Sequence, residues 1–347
     1  DPRNGPDDKS AIEGIGWTRI ERDPYPIGNK GFLIAKKQEI LIMDYQGRTK
    51  SIWSLPADER KQGLMCQEPR PIASRPREAC LPSQIDLSKD TGLLMLQDVN
   101  EGRNMKGVKP GQIKELMVIE LLPKSMNVSN GAEPISNRTT FNHERILGTV
   151  PVEADGSAFF EAPAMRALFL VALDENERAV KRMQSFLNLQ PGEVRGCVGC
   201  HEERTQQPDS RVGECMAMRR APSPIKPIEG IPDVFDFPRD IQPILDKYCV
   251  DCHGYEKTAR GGPRSGNIIL TGDHGPVYSH SYSTLVPALC NTGNNLGNNP
   301  PYSTGSGAGQ LMKYIDGSHH NVKLDPHDHK MLRLWMDSGS MYAGTLA

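Results

Sequence analysis

The sequence twice places two cysteines three positions apart and follows them at once with a histidine. The first copy is GCVGCHEER at residues 196–204, and the second is YCVDCHGYE at residues 248–256. With 8 Cys and 9 His among 347 residues, composition alone gives roughly 0.005 such motifs, so two copies are not an accident of composition. The pattern constrains the fold because each copy has to bring its three side chains to one ligand.

Cys-x-x-Cys-His is the attachment signature of c-type haem. Each thiol adds to one vinyl group of the porphyrin, and cysteines three apart lie on one side of a helical turn. The histidine that follows is carried beneath the ring, where its imidazole can bind the iron. We therefore predict two covalently bound haem c groups, haem 1 and haem 2, with Cys197, Cys200 and His201 at the first, and Cys249, Cys252 and His253 at the second.

Two other sites could use paired cysteines. A structural zinc site would leave 48 residues between its pairs, which is longer than ribbon-type sites show, and zinc does not require a histidine after each pair. A thioredoxin-like dithiol is expected in a βαβ setting, which the sequence does not indicate. Both alternatives explain fewer of the residues than haem attachment does.

Composition narrows the class of protein. The net charge of −2 does not favour nucleic acid as a partner, and no apolar run reaches the length of a membrane span. The 33 Gly and 28 Pro predict many turns, and the length suits two or three domains. The opening DPRNGPDDKS is typical of a processed start or an excised fragment.

The segment before the first motif alternates and is rich in strand formers. We predict strands near 145–152, 157–161, 167–173 and 179–187, so haem 1 would lie at the exit of a β-rich domain. The predicted domains are a lead-in with a propeller-blade-like remnant over 1–60, the haem 1 domain over 61–235, and a cytochrome c-like haem 2 domain over 236–347. The fold class is α+β, with a β-rich middle domain followed by a mainly helical one.

Helix signals surround the second motif. A helix capped by Asp236 and beginning near Asp240 is predicted to lead into it, since Pro243 is tolerated only in a first turn. A second helix has Asp325 as its N-cap, Pro326 at its first position and Gly339 at its end. A short helix is predicted over 309–316. The Asn/Gly-rich stretch 290–310 is predicted to be a flexible loop.

The sixth iron ligand decides whether a haem carries electrons or binds substrate. For haem 2 we choose His319, with His320 second. The remaining histidines that could serve are His143, His274, His280, His327 and His329. The methionines that could serve instead are Met312, Met331, Met336 and Met341, although methionines at helical spacing are more often core. For haem 1 the sequence offers only His143, so an open sixth position is a second possibility.

Four further cysteines have no assigned role. A bridge between Cys66 and Cys80 would close a 15-residue loop and stabilise it by about 3 kcal/mol, which is a hypothesis only. The state of Cys215 and Cys290 is not fixed by the sequence.

Several longer stretches resemble the alpha subunit of hydrazine synthase and its planctomycete-type relatives. They are LQDVNEGRNMKGVKPGQIKELMVIE, LGTVPVEADGSAFFEAPA, LFLVALDENERAVKRMQSFLNLQPGEVRGCVGCHE and GSHHNVKL. The resemblance covers residues from about 25 to 340. It implies a β-rich middle domain with one haem and a C-terminal cytochrome domain with another, whereas residues 25–54 resemble only the closing blade of the family's N-terminal propeller.

The resemblance also bears on the ligands. In the family a tyrosine four residues after the first motif histidine binds the iron, and that histidine turns to a zinc ion whose other protein ligands lie in the propeller. Thr205 stands at the tyrosine position here, and the propeller ligands are absent, so we expect His201 to bind iron in the ordinary way. The C-terminal haem of the family has two histidine ligands, and the second falls on His319.

These observations favour an extracytoplasmic dihaem c-type cytochrome that transfers electrons. One alternative is a redox enzyme subunit performing hydrazine synthase-like nitrogen chemistry at an open haem 1, with catalytic residues unknown. Another is a structural or filament cytochrome. Expected partners are redox proteins, further subunits of a multihaem complex or a propeller domain. Because haem c is attached after export, we expect a periplasmic location, or the anammoxosome lumen in an anammox organism.

Overall fold

The computed structural model describes residues 21–74, 77–80, 82–102, 104–123, 135–137, 139–140, 142–183, 185–200, 209–290 and 298–344. The chain divides into two compact units, Asp1–Pro82 and Ser83–Ala347. The boundary between these two units lies after Pro82. The sequence predicted the first domain to end at residue 60. Among the described ranges, no helix combines the length and apolar composition needed to cross a bilayer.

The first unit contains a four-stranded antiparallel sheet in sequential order. Its strands are β1 (Glu21–Pro26), β2 (Phe32–Lys36), β3 (Glu39–Met43) and β4 (Thr49–Ser54), followed by the short helix α1 (Ala57–Lys61). Neighbouring strands pair as antiparallel hairpins joined by short turns. The stretch 25–54, predicted to be blade-like, is therefore a four-stranded meander, which is the composition of a propeller blade.

The second unit begins with two sheets. Their strands are β5 (Thr91–Asp98), β6 (Glu115–Leu121), β7 (Glu144–Pro151), β8 (Ala158–Pro163), β9 (Ala167–Leu173), β10 (Ala179–Arg182) and β11 (Val194–Gly199). One sheet has the order β10-β9-β6-β7, and the other has the order β11-β5-β8. All four strands predicted before the first motif are present. The β-rich character expected for this part of the chain is confirmed.

Helices dominate the described residues after 236. They are α2 (Gln242–Tyr248), α3 (Val250–His253), α4 (His280–Leu285), α5 (Leu311–Tyr314) and α6 (Pro326–Asp337). A π-turn over Phe237–Ile241 opens α2, and the Asp236 side chain caps it by accepting a hydrogen bond from the Arg239 N–H. Asp325 caps α6 in the same way through the Asp328 N–H. The predicted caps are confirmed, and the first helix begins a few residues earlier than expected.

The sheet β10-β9-β6-β7 is buried on both faces. Met117 and Ile119 of β6 point into a core shared with the helices, including Trp335 of α6. Leu116 and Val118, the alternate residues of the same strand, point into a second core shared with the smaller sheet. The predicted boundary between residues 235 and 236 is therefore spanned by one hydrophobic core, and Ser83–Ala347 forms a single compact unit.

Two local predictions are wrong. The described part of the predicted flexible loop, residues 298–310, is packed: Ser306 is 1% exposed and its Oγ donates to Asp337 Oδ2 at 2.7 Å. The rest of that stretch, 291–297, lies outside the described residues. The hypothetical disulfide is absent, because Cys66 is a buried free thiol and Cys80 an exposed one.

Candidate functional site

The second Cys-x-x-Cys-His motif lies at the end of a helix. Helix α2 ends at Tyr248, Cys249 follows, and α3 continues through Cys252 to His253. The Cys249 and His253 N–H groups bond to the Leu245 and Cys249 carbonyls at 2.8 and 2.9 Å, so the helical turn runs on through the motif. Both thiols line one cavity, as the helical spacing predicts.

His253 is held in one orientation and one tautomer. Its Nδ1 lies 2.9 Å from the carbonyl oxygen of Ser265. A carbonyl only accepts, so Nδ1 carries the proton and donates it, which leaves the Nε2 lone pair available to a metal. This is the outer-shell hydrogen bond that metal-ligating histidines make.

His319 faces His253 across the cavity. Their ring centroids are 6.0 Å apart and their planes differ by 15°. A metal–imidazole bond of about 2 Å on each side, with each ring centre about 1 Å beyond its nitrogen, gives a centroid separation of roughly 6 Å for two axial ligands. The two imidazoles therefore have the separation that a metal atom between them requires.

The turn that carries His319 is tight. The Val322 N–H donates to the His319 carbonyl at 2.9 Å, and both His320 and Asn321 have left-handed backbone, with φ of 49° and 60°. Burial lowers the pKa of His319 from its ordinary value, and the nearby imidazoles of His320 and His253 lower it further. Its neutral form, which is the ligating form, is thereby favoured.

The cavity between the imidazoles has a volume of about 330 Å³. Eight of its 18 described lining residues are aliphatic: Leu245, Ile268, Leu270, Leu285, Leu289, Leu311, Ile315 and Val322. Arg260 is the one Lys, Arg, Asp or Glu residue among the described lining residues. Burial raises the pKa of the Cys249 thiol to about 11, as expected of a cysteine in apolar surroundings. The volume, apolar wall, paired thiols and opposed imidazoles all fit a haem c.

The other candidate ligands lie elsewhere, with one exception. His320 also lines the cavity, its ring centroid 4.6 Å from that of His319. His327 on α6 is exposed, with Nε2 3.1 Å from the Gly230 carbonyl. His143 has Nε2 2.9 Å from the Ala343 carbonyl. Among the described residues that line the cavity, none is His274, His280, His329 or a methionine. The four candidate methionines are core residues.

The first motif differs in its local structure. Cys197 lies on β11, which pairs in parallel with β5, and Cys200 follows the end of that strand. The helical turn expected for Cys-x-x-Cys is therefore absent from this copy. The Cys200 N–H donates to the Glu101 carbonyl at 2.7 Å, and both cysteines pack against the core between the two sheets. His201 and Thr205 lie outside the described residues.

The sequence analysis did not identify α4 and the residues that follow it as part of the cavity wall. Tyr282, Leu285, Val286 and Leu289 recur at helical spacing, and that spacing could have revealed the helix. It also missed the contacts of Lys247 and Tyr248 with Asp325 beside the cavity, which no sequence pattern indicates.

Comparisons with known proteins found a matching family model and a matching solved structure. Residues 111–202 match the family model described as the hydrazine synthase alpha subunit middle domain. A solved structure of Kuenenia stuttgartiensis hydrazine synthase matches with a TM-score of 0.56 and 17% identity, over 94% of this chain and 55% of that chain. This chain therefore spans little more than half the length of that relative, and at this identity the likeness shows the fold alone.

Among curated proteins no match was found. The matched segment begins just before β6 and ends just after the first Cys-x-x-Cys-His motif. It contains β11 and the whole sheet β10-β9-β6-β7, which we call the central sheet. The resemblance predicted from the sequence is thus confirmed: residues 111–202 are similar to the middle domain of the hydrazine synthase alpha subunit, and the fold is similar to that of a solved hydrazine synthase.

Proposed function

We propose that the protein is a dihaem c-type cytochrome that transfers electrons and is related to the hydrazine synthase alpha subunit. Haem 2 is attached to Cys249 and Cys252, with His253 and His319 as its iron ligands. Haem 1 is attached to Cys197 and Cys200, with His201 as its first iron ligand. An extracytoplasmic location belongs to the proposal, because haem c is attached to its protein after export.

The observation that carries the proposal is the pair of opposed imidazoles. His253 and His319 come from segments more than 60 residues apart, yet their rings are nearly parallel at 6.0 Å. A metal ion that binds both imidazoles accounts for this alignment of two residues from distant segments, because each ring can supply one nitrogen ligand. The two thiols that line the same cavity fit a haem c as the carrier of that metal.

A haem with two strong ligands supplies one-electron redox chemistry and leaves no open position for substrate. Two features of this chain favour fast electron transfer at such a haem: a fixed histidine ring and an aliphatic cavity wall. The Ser265 carbonyl fixes the His253 ring through a 2.9 Å hydrogen bond. The aliphatic wall limits water around the iron, so little solvent has to reorganise when the charge changes. The expected partners are redox proteins and further subunits.

One set of measurements tests this proposal. The intact polypeptide should exceed the mass of its amino acids by two haem groups, and both oxidised and reduced spectra should show a low-spin haem 2. In His319→Ala, haem 2 should become high-spin and bind carbon monoxide, because one axial imidazole is gone. An unaltered spectrum in that variant refutes the ligand assignment, and an absence of Soret absorbance refutes the whole proposal.

A second candidate function is catalysis at haem 1. The family match includes the first motif, and the matching domain of the relative belongs to a protein named hydrazine synthase. In this case haem 1 would have an open face, and the unmodified protein would show a high-spin component that binds carbon monoxide. A wild-type spectrum unchanged by carbon monoxide excludes this candidate.

A further inference from the structure

Four polar residues join the helix that leads into the second motif to the helix that follows the His319 turn. Lys247 Nζ lies 2.9 Å from Asp325 Oδ2 and 2.8 Å from Asp328 Oδ2. The Tyr248 hydroxyl donates to Asp325 Oδ2 at 3.0 Å. We call this set, Lys247, Tyr248, Asp325 and Asp328, the clasp.

The clasp lies within a few residues of both proposed iron ligands, His253 and His319. Tyr248 lines the cavity and directly precedes Cys249, whereas Asp325 follows the His319 turn by a few residues. Asp325 also caps α6, since its Oδ1 accepts from the Asp328 N–H at 2.9 Å. One carboxylate therefore fixes the start of α6, the end of α2 and the end of the turn that presents His319.

The His319 turn needs such an anchor. Two successive residues, His320 and Asn321, have φ of 49° and 60°, which non-glycine residues adopt only where the surrounding structure holds them. At its start, the turn is fixed by the Ser318 Oγ, which donates to the Lys313 carbonyl at 2.6 Å. Beyond its end, the clasp holds the start of α6, the helix that follows the turn, against α2.

We propose that the clasp is a positioning device that keeps His319 on the haem 2 iron, an inference that rests on the proposed function. The turn has two states, with the His319 imidazole bound to or released from the iron, and the clasp favours the bound state because it fixes the distance between α2 and α6. Its charged groups are partly exposed, with side-chain exposures of 55% for Lys247 and 44% for Asp325. Salt therefore weakens it.

The test uses the full chain carrying both haems and measures carbon monoxide binding to the reduced protein. The variants are Lys247→Met, which removes the charge, and Tyr248→Phe, which removes only the hydroxyl. The reference for a fully open haem 2 is His319→Ala. The matched control is Lys330→Met, because Lys330 also lies on α6 but donates to the Glu229 carbonyl and not to α2.

Both clasp variants should keep two haems and bind carbon monoxide at haem 2 roughly 2- to 5-fold faster than wild type, the change that loss of a partly exposed ion pair or hydrogen bond gives. Lys330→Met should bind carbon monoxide at the wild-type rate. Lys247→Arg should restore the wild-type rate, and high salt should raise the rate in wild type but not in Lys247→Met.

Two outcomes overturn the proposal and can be told apart. If Lys247→Met and Tyr248→Phe carry two haems but bind carbon monoxide as wild type does, the clasp has no positioning role, and the proposed function stands. If wild type already has a high-spin haem 2, or lacks it, the proposed function fails and the clasp proposal fails with it.

Discussion

The buried carboxyl of Asp337 makes the stability of this protein depend on pH. Asp337 is 1% exposed at the end of α6. Its Oδ1 accepts from the Ser306 N–H at 2.7 Å, and its Oδ2 accepts from the Ser306 hydroxyl at 2.7 Å. Burial nevertheless raises the pKa of Asp337 from 3.8 to about 6, against the opposing effects of those hydrogen bonds and of Arg333 and Arg182.

Because the pKa of Asp337 is raised in the folded protein, this carboxyl makes the protein less stable as pH rises. The folded protein holds the Asp337 proton more tightly than the unfolded chain, so this group lowers the free energy of unfolding as pH rises from about 4 to about 6, and the loss is complete above that range. A rise of the pKa from 3.8 to about 6, at about 1.4 kcal/mol for each unit, corresponds to about 3 kcal/mol.

The assay compares wild type with Asp337→Asn, which keeps the shape of the side chain but cannot ionise. Urea unfolding at pH 4 and pH 7 gives the free energy of unfolding of each protein. Relative to wild type, the variant should be more stable at pH 7 than at pH 4 by about 3 kcal/mol, and the other carboxyl groups cancel in the difference. A difference that is the same at both pH values, or that changes in the opposite direction, refutes the reasoning.

Two further predictions concern the central sheet and the first motif. Gly102 has a φ of 153°, and a Cβ there would lie 2.2 Å from the carbonyl oxygen of Cys200, so Gly102→Ala should displace the first motif and lower the haem content from two towards one. The measurement is a pyridine haemochrome titration per polypeptide, and unchanged stoichiometry contradicts it. Arg182→Met should cost about 3 to 5 kcal/mol in urea unfolding, because the Arg182 guanidinium lies 2.6 Å from the buried Glu144 carboxylate and its loss leaves that charge unpaired. The double variant Arg182→Met with Glu144→Met should recover most of the loss, and a double variant as unstable as the single one would show that charge pairing is not the cause.

Local sequence signals predicted the elements of this fold well, because caps and periodicity act within a few residues. Asp236 and Asp325 cap helices as expected, and each strand predicted before the first motif is present. The structure brings the rings of His319 and His253 to a centroid separation of 6.0 Å. Their role as the two iron ligands stays a prediction.

Features that depend on distant contacts could not be predicted in the same way. Residues 298–310 have the composition of a flexible loop, but Ser306 binds Asp337 of α6 and its Oγ accepts from the Ala179 N–H of β10 at 3.0 Å. The first motif has the same residue pattern as the second, yet Cys197 lies on a strand because β5 supplies a parallel partner. In both cases tertiary pairing overrides the local preference.

The two-sided burial of the central sheet has a practical consequence for dissecting the protein. Excising residues 236–347 as a minimal cytochrome would strip Trp335 and its neighbours of Met117, Ile119 and Phe169, which complete their core. Such a fragment would expose a large apolar surface and would aggregate or bind hydrophobic partners. The individual properties of the two proposed haem groups are therefore better separated by point substitutions in the intact chain than by truncation.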